Sequence, residues 1–527
     1  MSSSSDSSEV PTEAFGPNRT SSKVRCNTSF LSIVEKTKLG LRKFMLDDLI
    51  AFKLYNNLNQ FQVGDHDKVL KNDLGGIFNL EFSIDGKLLV SACEGKQVLL
   101  FDASNQKLIS KVENAHRNCV NCVRFLNDKH FATCSDDTSI KIWDIRKVQS
   151  CIQTLHGHSN WVKNIEWSEK DNVMVTSAFD GSIYAWNLKT PNESNMMYDK
   201  VFLMNGLMRM KLTEDGSKMV ISTTNGFMII IHDLNLLTLA TDLRSFRPSL
   251  YRLMQISDQC FPVATIYNSL FSPSRRRNRI EFIEDFPNEA EVISSLQIHP
   301  HGWCAVSRNM NAEDDEEWTS VHDIQNREPK DYENAFTYIN EEAPEEVDPE
   351  GEANSRPTDL WMGYISLEDY NSHDRDFNEL SQPLYENRQL PAMGILNTGL
   401  IGTNSSFDTY FRQHPEQHNK IIRNLPRLTH FIKEKNVAKG FIKELCFSSD
   451  GRVICSPYDM GVRLLAFNEK CQELSMCVPD NPQQLKTVVE MNNYHRDVVV
   501  SCKFSPVHYQ LVTGCLGSEI KWYQPIL

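Results

Sequence analysis

Short apolar runs, each closed by a turn, recur at a fixed spacing along much of the chain. Three stretches align with little adjustment, and they are Gly75–Asp102, Ala115–Asp144 and Gly157–Asn187. Each stretch contains three apolar runs of strand length, divided by turn dipeptides such as Asp85-Gly86. The ends of successive stretches lie 42 and 43 residues apart. A repeat of this length predicts one small β-sheet per repeat, with neighbouring sheets stacked on one another.

Two of the three repeats carry the same four residues at the same spacing. They are His116, Thr133, Asp137 and Trp143 in the second repeat, and His158, Thr176, Asp180 and Trp186 in the third. A buried Asp and His need hydrogen-bond partners, and the Trp N–H needs an acceptor. We therefore expect each set to form a structural tetrad and not a catalytic pair. The pattern resembles the WD40 repeat, and the resemblance implies an all-β propeller.

Four weaker repeats follow and bring the total to seven. They cover Asn205–Asp233, Glu291–Asp323, Gly440–Asn468 and Tyr494–Tyr523. In the first of them, His232 stands where the repeat pattern places Trp. The last keeps His495, Thr513 and Trp522, but Gly517 occupies the position of the tetrad Asp. These departures weaken single repeats and leave the count of seven unchanged.

The resemblance therefore predicts a seven-bladed WD40 β-propeller over residues 61–527. The sequence stops at Leu527, five residues after Trp522, and this leaves no residues for a fourth strand in the last blade. We expect residues 61–70 to supply that strand. Such a strand would join the two ends of the propeller and remove exposed sheet edges.

The residues before the propeller divide into two parts. Residues 1–27 are rich in serine, and we expect a disordered tail. Residues 28–58 are predicted to be helical, with one apolar stripe made of Phe30, Ile33, Val34, Leu41, Phe44 and Met45. Two interpretations of this segment stay open. The helix packs on the propeller itself, or it lies in a groove of a partner protein.

Two polar insertions, at about 246–278 and 312–421, interrupt the repeats and are expected to be largely disordered. The whole chain has a net charge of −14. Residues 312–352 hold 16 acidic and two basic residues, so this one segment accounts for the whole excess. The remainder is close to neutral, and a neutral body predicts no direct binding of nucleic acid.

The sequence contains no motif for catalysis or for a cofactor. P-loop, HExxH, GxSxG and dinucleotide-binding patterns are all absent, so we expect neither an enzyme nor a cofactor. Cys119 and Cys122 form a C-x-x-C pair close to His116. In a strand, residues three apart face opposite sides, and no second pair exists to complete four ligands. We therefore expect no metal site here.

The sequence also bears on the compartment. No apolar run approaches the length of about 20 residues that a membrane-spanning helix needs. The first ten residues have neither a basic region nor an apolar region of the kind found in secretory signals. We expect an intracellular protein of the cytoplasm, the nucleus or both, with its 14 cysteines as thiols.

The end of the second repeat points to a function. It reads Trp143-Asp144-Ile145-Arg146, and W-D-x-R at this position resembles the box of WD40 substrate receptors in cullin-4 RING ubiquitin ligases. The resemblance implies that Asp144 and Arg146 contact the damaged-DNA-binding-protein adaptor. An arginine suits this role because its planar fork makes several directed hydrogen bonds. The third repeat offers a degenerate box that ends in Lys189, which would be a second contact.

Longer stretches resemble the tenth group in the numbered series of cullin-4-associated WD40 factors. They include residues 118–125, 131–147, 154–167, 427–432, 440–452 and the terminal YQPIL. The resemblance implies that residues 28–58 dock into the adaptor through Phe30, Val34, Leu41 and Met45. It implies a non-catalytic receptor that bridges the adaptor to a protein substrate, which the sequence does not identify. The alternative is a WD40 interaction scaffold with no role in a ligase.

Overall fold

A computed structural model of the chain describes residues 44–61, 74–188, 198–243, 246–257, 279–311, 316–326 and 424–526. In these residues the strands form seven sheets, six with four strands and one with five. Each sheet is one blade, and its strands are called a to d from the innermost outwards. The fold is the predicted seven-bladed WD40 β-propeller.

The chain enters through helix α1 (Phe44–Asn56) and strand β1 (Leu58–Gln60). The next three blades are continuous in sequence. Blade 1 has β2 (Ile77–Phe82), β3 (Leu88–Cys93), β4 (Val98–Asp102) and β5 (Leu108–Val112). Blade 2 has β6 (Val120–Phe125), β7 (His130–Ser135), β8 (Ile140–Asp144) and β9 (Gln153–Leu155). Blade 3 has β10 (Val162–Ser168), β11 (Val173–Ala178), β12 (Ser182–Asn187) and β13 (Tyr198–Leu203).

The other blades are interrupted or share strands. Blade 4 has β14 (Leu207–Leu212), β15 (Met219–Thr223), β16 (Met228–Ile231) and β17 (Ile280–Ile283). Blade 5 has β18 (Val292–Ile298), β19 (Cys304–Met310), β20 (Glu316–Asp323) and β21 (Leu428–Lys435), with β25 (Gln483–Gln484) added in parallel. Blade 6 has β22 (Cys446–Phe447), β23 (Val453–Tyr458), β24 (Gly461–Ala466) and β26 (Lys486–Met491). Blade 7 has β27 (Val499–Phe504), β28 (Leu511–Cys515), β29 (Ile520–Pro525) and β1.

The inner strands close a ring. Each of β2, β6, β10, β14, β18, β22 and β27 contacts the next, and β27 contacts β2. An ion-pair belt joins five of these strands: Glu81 binds Arg124 at 3.0 Å and Lys503 at 2.6 Å, and Glu166 binds Lys211 at 2.6 Å. Arg124 also lies 3.7 Å from Glu166, so the charges alternate from blade 7 through blade 4. The belt pairs charged groups that would otherwise be costly to hold between packed sheets.

Strand β1 completes the last blade from the N-terminal side. Leu58 pairs with Pro525 and Gln60 with Tyr523, and the Phe61 N–H donates to the Trp522 carbonyl at 2.8 Å. The predicted donor, residues 61–70, is therefore wrong in position, because pairing begins three residues earlier. Leu58 is fully buried in the core shared by blades 6 and 7, and this fixes where the strand begins. Residues 62–70 lie outside the described part of the chain.

Helix α1 packs on the propeller through one face. Ala51, Leu54 and Tyr55 are buried on it, at the spacing of neighbours along a helix. The Tyr55 hydroxyl donates to Asp450 at 2.7 Å, and Arg452 donates to Asp48 at 2.5 Å. This part of the predicted helical segment therefore follows the first of the two open interpretations. Residues 28–43, including Phe30, Val34 and Leu41, lie outside the described residues, as does the side chain of Met45.

The second predicted insertion begins too early, and the first contains an ordered helix. Strand β20 occupies residues 316–323, inside the predicted insertion 312–421, because Trp318 and Thr319 pair with Asn309 and Arg308 of β19. The predicted repeat Glu291–Asp323 and the predicted insertion overlap here, and the structure follows the repeat, with Glu317, Thr319, Val321 and His322 of the strand buried. In the predicted insertion 246–278, residues 248–257 form helix α3 (Pro248–Ser257).

A second compact unit comprises residues 229–283 and 325–426. Its described part holds the last residues of β16, helix α2 (Leu239–Asp242), helix α3 and β17. Within it the His232 N–H donates to the Arg279 carbonyl at 2.7 Å, and the Gln255 amide donates to the Ile280 carbonyl at 2.6 Å. Arg279 also donates to Asp242 at 2.5 Å. These contacts tie the two helices to β17.

His430 in β21 gives the fold a measurable sensitivity to acid. Its ring lies 5.3 Å from Phe467, and neither ring nitrogen has a hydrogen-bond partner among the described residues. Burial lowers the pKa of His430 to about 4, so the folded ring is neutral between that pH and the unfolded value of about 6.5. The unfolded chain binds the extra proton in this window. Stability linked to His430 is therefore complete above about pH 6.5 and is lost as the pH falls towards 4.

We expect His430→Leu to reduce the loss of stability between pH 7 and pH 5 by about 1–2 kcal/mol, because the buried neutral imidazole is gone. The measurement is urea unfolding of the full chain at both pH values, followed by tryptophan fluorescence. At pH 7 the variant should unfold at the same urea concentration as the wild type or higher. An unchanged difference between the two pH values would show that His430 is not buried as described.

Candidate functional site

The structure brings the four residues of the blade 2 tetrad together. His116 Nδ1 lies 3.1 Å from Asp137 Oδ2, and the other ring nitrogen, Nε2, lies 2.8 Å from the Thr133 hydroxyl. The Trp143 N–H donates to the same hydroxyl at 2.8 Å. Because an ionised Asp137 carboxylate can only accept, the His116 nitrogen that faces it donates, and the neutral ring then accepts the Thr133 hydroxyl proton at Nε2. The His116 proton therefore sits on Nδ1, facing Asp137.

Hydrogen bonds fix the charge state of this tetrad. Burial raises the pKa of Asp137, but hydrogen bonds from His116 and Ser139 outweigh it and hold the pKa well below its usual range. Burial lowers the pKa of His116, and the contact with Asp137 offsets this only in part. At neutral pH the tetrad therefore contains a neutral His116 imidazole beside an ionised Asp137 carboxylate. All the polar groups of the set are hydrogen-bonded to one another. The tetrad therefore stabilises the turn between β7 and β8, which contains Asp137, and offers no group for catalysis.

Blade 3 repeats the arrangement. His158 contacts Asp180 at 3.1 Å and Thr176 at 2.8 Å, and the Trp186 N–H donates to Thr176 at 2.8 Å. Ser182 donates to Asp180, as Ser139 does to Asp137 in blade 2. Sequence reasoning missed this serine, although it stands two residues after the Asp in both repeats. It is the fifth member of each set.

Blade 7 has a set that is related to these tetrads but is built partly from different residues. His495 contacts Thr513 at 2.6 Å, and Glu519 accepts the Arg496 N–H at 3.0 Å, as Asp137 accepts the N–H after its histidine. Glu519 thus takes over the N–H contact of the missing Asp from a position two residues further along, while its carboxylate lies 4.0 Å from His495 Nδ1, beyond hydrogen-bond distance. The aromatic member is Tyr523, whose hydroxyl lies 3.4 Å from Thr513. The assignment of Trp522 to this set was wrong by one residue, because strand alternation turns Trp522 towards Phe82 and Phe101 of blade 1.

We expect Thr133→Val to destabilise the fold by about 2–3 kcal/mol, because the isosteric change leaves the Trp143 N–H and His116 Nε2 buried without partners. The measurement is chemical unfolding of the full chain. Thr154→Val, on the outer strand of the same blade, is the matched control and should cost less than about 0.5 kcal/mol. Equal losses in the two variants would contradict the hydrogen-bond scheme of the tetrad.

Asp144 and Arg146 lie together at the end of β8. Asp144 caps a single 3₁₀ turn, Ile145–Lys147, by accepting the Arg146 N–H at 2.9 Å. The guanidinium then folds back onto the same carboxylate with two hydrogen bonds, Nε to Oδ1 at 3.0 Å and Nη2 to Oδ2 at 2.6 Å. Arg146 holds the pKa of Asp144 below its usual range. The turn itself is anchored by Val148, which is buried in the core between blades 1 and 2.

The arginine is presented to solvent in one defined orientation. Its side chain is 69% exposed, yet two hydrogen bonds and a capped turn restrict its rotamers. An exposed pair of this kind contributes little to stability. Its value is that an exposed guanidinium is already held in place by Asp144, which reduces the entropy lost when it makes a directed contact with another protein.

Arg146 and helix α1 lie on the same face of the propeller. In each antiparallel blade the a–b turn and the end of strand c are at one end, as the hydrogen bond from Ile145 N–H to the Lys129 carbonyl shows for blade 2. We call this end of the blades the a–b face. Helix α1 contacts Asp450 and Tyr509, which lie in the a–b turns of blades 6 and 7. Sequence reasoning did not foresee this common face.

The structure does not describe every predicted contact residue. In blade 3 the degenerate box is placed as far as Leu188, which packs on the core between blades 2 and 3. Lys189 lies outside the described residues. The structure therefore brings together Asp144 and Arg146, and it adds no geometry for the second predicted contact.

Two groups of side chains in the described residues are close enough to share an ion. One is Cys446, Cys455 and Cys502, whose sulfur atoms lie within 4.8 Å of one another. They belong to the apolar core of blades 6 and 7, and burial raises the pKa of Cys455 and Cys502 well above the usual range. The other group contains His495 and Glu519 of the blade 7 tetrad.

Cys119 and Cys122 do not form part of either group. Cys122 lies in β6 opposite Cys134, while Cys119 stands just before the strand and is half-buried. All twelve cysteines in the described ranges are free thiols. No helix among the described residues is long and apolar enough to cross a membrane.

Comparison with known proteins gives three kinds of match. The family model for the WD domain, G-beta repeat, matches residues 107–144 and 149–187. Each match spans the outer strand of one blade and the three inner strands of the next, from blade 1 to blade 3. A Danio rerio protein named DDB1- and CUL4-associated factor 10 is 37% identical over 86% of this chain and 74% of its own length. Proteins of the same name from Xenopus tropicalis and Homo sapiens are 35% and 34% identical over 86% of this chain, and over 85% and 70% of their own lengths. A solved structure of the Myceliophteria thermophila Cps50 (Swd1) β-propeller domain is similar at a TM-score of 0.47 and 10% identity, covering 89% of this chain and all of that one.

Proposed function

The chain belongs to the DDB1- and CUL4-associated factor 10 family, and on this basis we propose that it is a substrate receptor of a cullin-4 RING ubiquitin ligase. In this role it binds the adaptor DDB1 with its a–b face and a protein substrate with other surfaces. It performs no chemistry of its own. The proposal places the protein inside the cell, where such ligases work.

The observation that carries the proposal is the presentation of Arg146. An exposed arginine, held by Asp144 on a capped turn, stands at the W-D-x-R position of a chain whose relatives are named for association with DDB1 and CUL4. A guanidinium with free, outward N–H groups can bind carboxylates or carbonyls of a partner with directional hydrogen bonds. Asp144 keeps the side chain in place and so acts as a positioning residue for this contact.

The chain before helix α1 provides the second part of the proposed interface. Residues 28–43 lead directly into α1, and α1 is fixed on the a–b face by Tyr55 and by the ion pair of Asp48 with Arg452. We propose that Phe30, Val34, Leu41 and Met45 contact the adaptor from this anchored position. Lys189 would add a contact from blade 3.

The mechanism is one of proximity. The ligase carries a ubiquitin-loaded enzyme at one end, and the receptor holds the substrate at the other. Binding both converts an encounter in solution into an intramolecular one, with an effective concentration set by the geometry of the complex. The rigid ring of blades suits this task because the two binding surfaces keep a fixed relation within it.

The test of this role is an assembly experiment with the intact chain, DDB1, and the cullin-4 and RING subunits. We expect the chain to co-elute with cullin-4 only when DDB1 is present, because the adaptor is the bridge. Co-elution without DDB1 would contradict the proposed order of contacts. Failure to enter the complex at all, from a folded chain, would leave an interaction scaffold without a ligase role.

A further inference from the structure

Among the described a–b turns, two neighbouring ones expose large apolar side chains. In blade 1 the turn exposes Ile84 at 59%, and in blade 7 the turn exposes Val507 at 57% and Tyr509 at 43%. In the described a–b turns of blades 2 to 6, no large apolar side chain is exposed. Those turns present residues such as Asp128, Lys170, Asp215 and His301.

The two apolar turns touch each other. Gly86 of blade 1 packs so closely that a Cβ there would lie 3.2 Å from Ser505 Oγ and 3.3 Å from Val507 Cβ. Tyr509 in turn makes an edge contact with Tyr55 of helix α1, with ring centres 5.6 Å apart. Ile84, Val507 and Tyr509 therefore belong to one continuous surface next to α1, which we call the apolar arc. A contiguous apolar surface on a folded protein marks a site of interaction more often than scattered single residues do.

The position of the apolar arc indicates its occupant. Around the ring, blades 2, 1, 7 and 6 are consecutive, since β6 contacts β2, β2 contacts β27 and β27 contacts β22. Arg146 lies on the a–b face at blade 2, and α1 lies on that face at blades 6 and 7. The shorter path around the ring between these two contacts runs over blades 1 and 7, where the apolar arc is. Interfaces commonly combine an apolar centre with a charged rim, and Arg146 together with Asp85 and Lys87 supplies such a rim.

We propose that the apolar arc is a further adaptor contact, which buries an apolar patch of DDB1 between the Arg146 contact and helix α1. The inference rests on the proposed receptor function and adds to it the surface that supplies hydrophobic binding energy. Charged contacts at the rim mainly set orientation and rate of association. Desolvated apolar side chains near the centre of an interface account for more of the affinity.

The test uses the full chain and purified DDB1 in biolayer interferometry. We expect Ile84→Glu and Val507→Glu each to weaken binding by about tenfold or more, because each would bury a charge in the interface. The matched control is Leu203→Glu, at a side chain that is 55% exposed and lies at the opposite end of a blade. It should leave affinity within about twofold.

The outcomes separate this inference from the function on which it rests. Wild-type binding that is unchanged in both arc variants would overturn the apolar arc as a contact and leave the receptor function standing. A folded wild type that does not bind DDB1 would overturn the function itself. A fall in melting temperature in the arc variants, absent from Leu203→Glu, would show that the arc is covered by this chain's own residues and would also overturn the inference.

Discussion

Arg146→Glu should weaken binding of the intact chain to DDB1 by about a hundredfold or more. The change removes the directed N–H donors and puts a carboxylate next to Asp144, so the turn would present two negative charges where a cation now stands. Because the Arg146 side chain is exposed, folding should be unaffected. The measurement is biolayer interferometry on immobilised DDB1, with circular dichroism as the check on folding.

Two further variants make this result specific. Arg146→Lys keeps the charge but not the planar fork, and we expect an intermediate loss of about tenfold. Lys170→Glu reverses an exposed charge in the a–b turn of blade 3 and should change affinity by less than about threefold. Equal losses for Arg146→Glu and Lys170→Glu would mean that the face is attracted to DDB1 by overall charge, and that Arg146 makes no directed contact.

Glu434→Ala should be the most damaging single change to the fold among those considered. The Glu434 carboxylate is 1% exposed and binds Arg308 at 2.5 Å and Arg463 at 3.0 Å. It also accepts hydrogen bonds from Ser456 at 2.8 Å and Thr319 at 3.1 Å. Its removal leaves two guanidinium groups in a protein interior with less opposing charge. Breaking a buried pair in this way costs about 3–5 kcal/mol.

The chain offers a matched control on the same pair of strands. Glu316 of β20 binds Lys433 of β21, but both side chains of this pair are roughly half exposed. Glu316→Ala should cost less than about 1 kcal/mol, since water replaces the lost contact. Chemical unfolding of both variants measures the difference. A cost for Glu434→Ala as small as that for Glu316→Ala would contradict the buried network.

Regular repeats made the fold predictable from the sequence. The spacing of Thr133, Asp137 and Trp143 recurs in blade 3, and each of these residues needs the others because each would be costly to bury alone. The four weaker repeats depart from this pattern but keep its turn residues and apolar runs. The count of seven blades therefore followed from the clear and the weaker repeats together. The family resemblance read from Phe131–Lys147 and similar stretches is confirmed by the relatives.

The features that the sequence did not reveal depend on contacts between distant residues. Glu434 and Arg308 are far apart in the chain, and their pairing follows from the stacking of strands across a long insertion. Glu519 replaces the tetrad Asp of blade 7 from two positions away, which a fixed spacing cannot detect. Strand β20 fell both in a predicted repeat and in a predicted insertion, because the burial of Glu317 against Lys443 and Arg308 cannot be read from an acidic run. In each case the deciding quantity is a position in space that local pattern does not encode.

The candidate site was predictable only in part for the same reason. The W-D-x-R box placed Arg146 at a blade end, and the relatives' names agree with the function that the box suggested. That α1, Arg146 and the apolar arc share one face could not be read from the sequence, because Val507 and Tyr509 are far along the chain from the other residues of this face. Only the closed ring brings blades 1 and 7 together.

The central claim is that this chain binds DDB1 directly, and the most direct measurement is a titration of the intact wild-type chain with purified DDB1 by isothermal calorimetry. We expect a one-to-one complex with a Kd below about 1 µM, which corresponds to a binding free energy of about −8 kcal/mol. No heat of binding from a folded chain at concentrations up to about 50 µM, more than 50 times that value, would contradict the account. The protein would then be a WD40 propeller whose a–b face serves another partner.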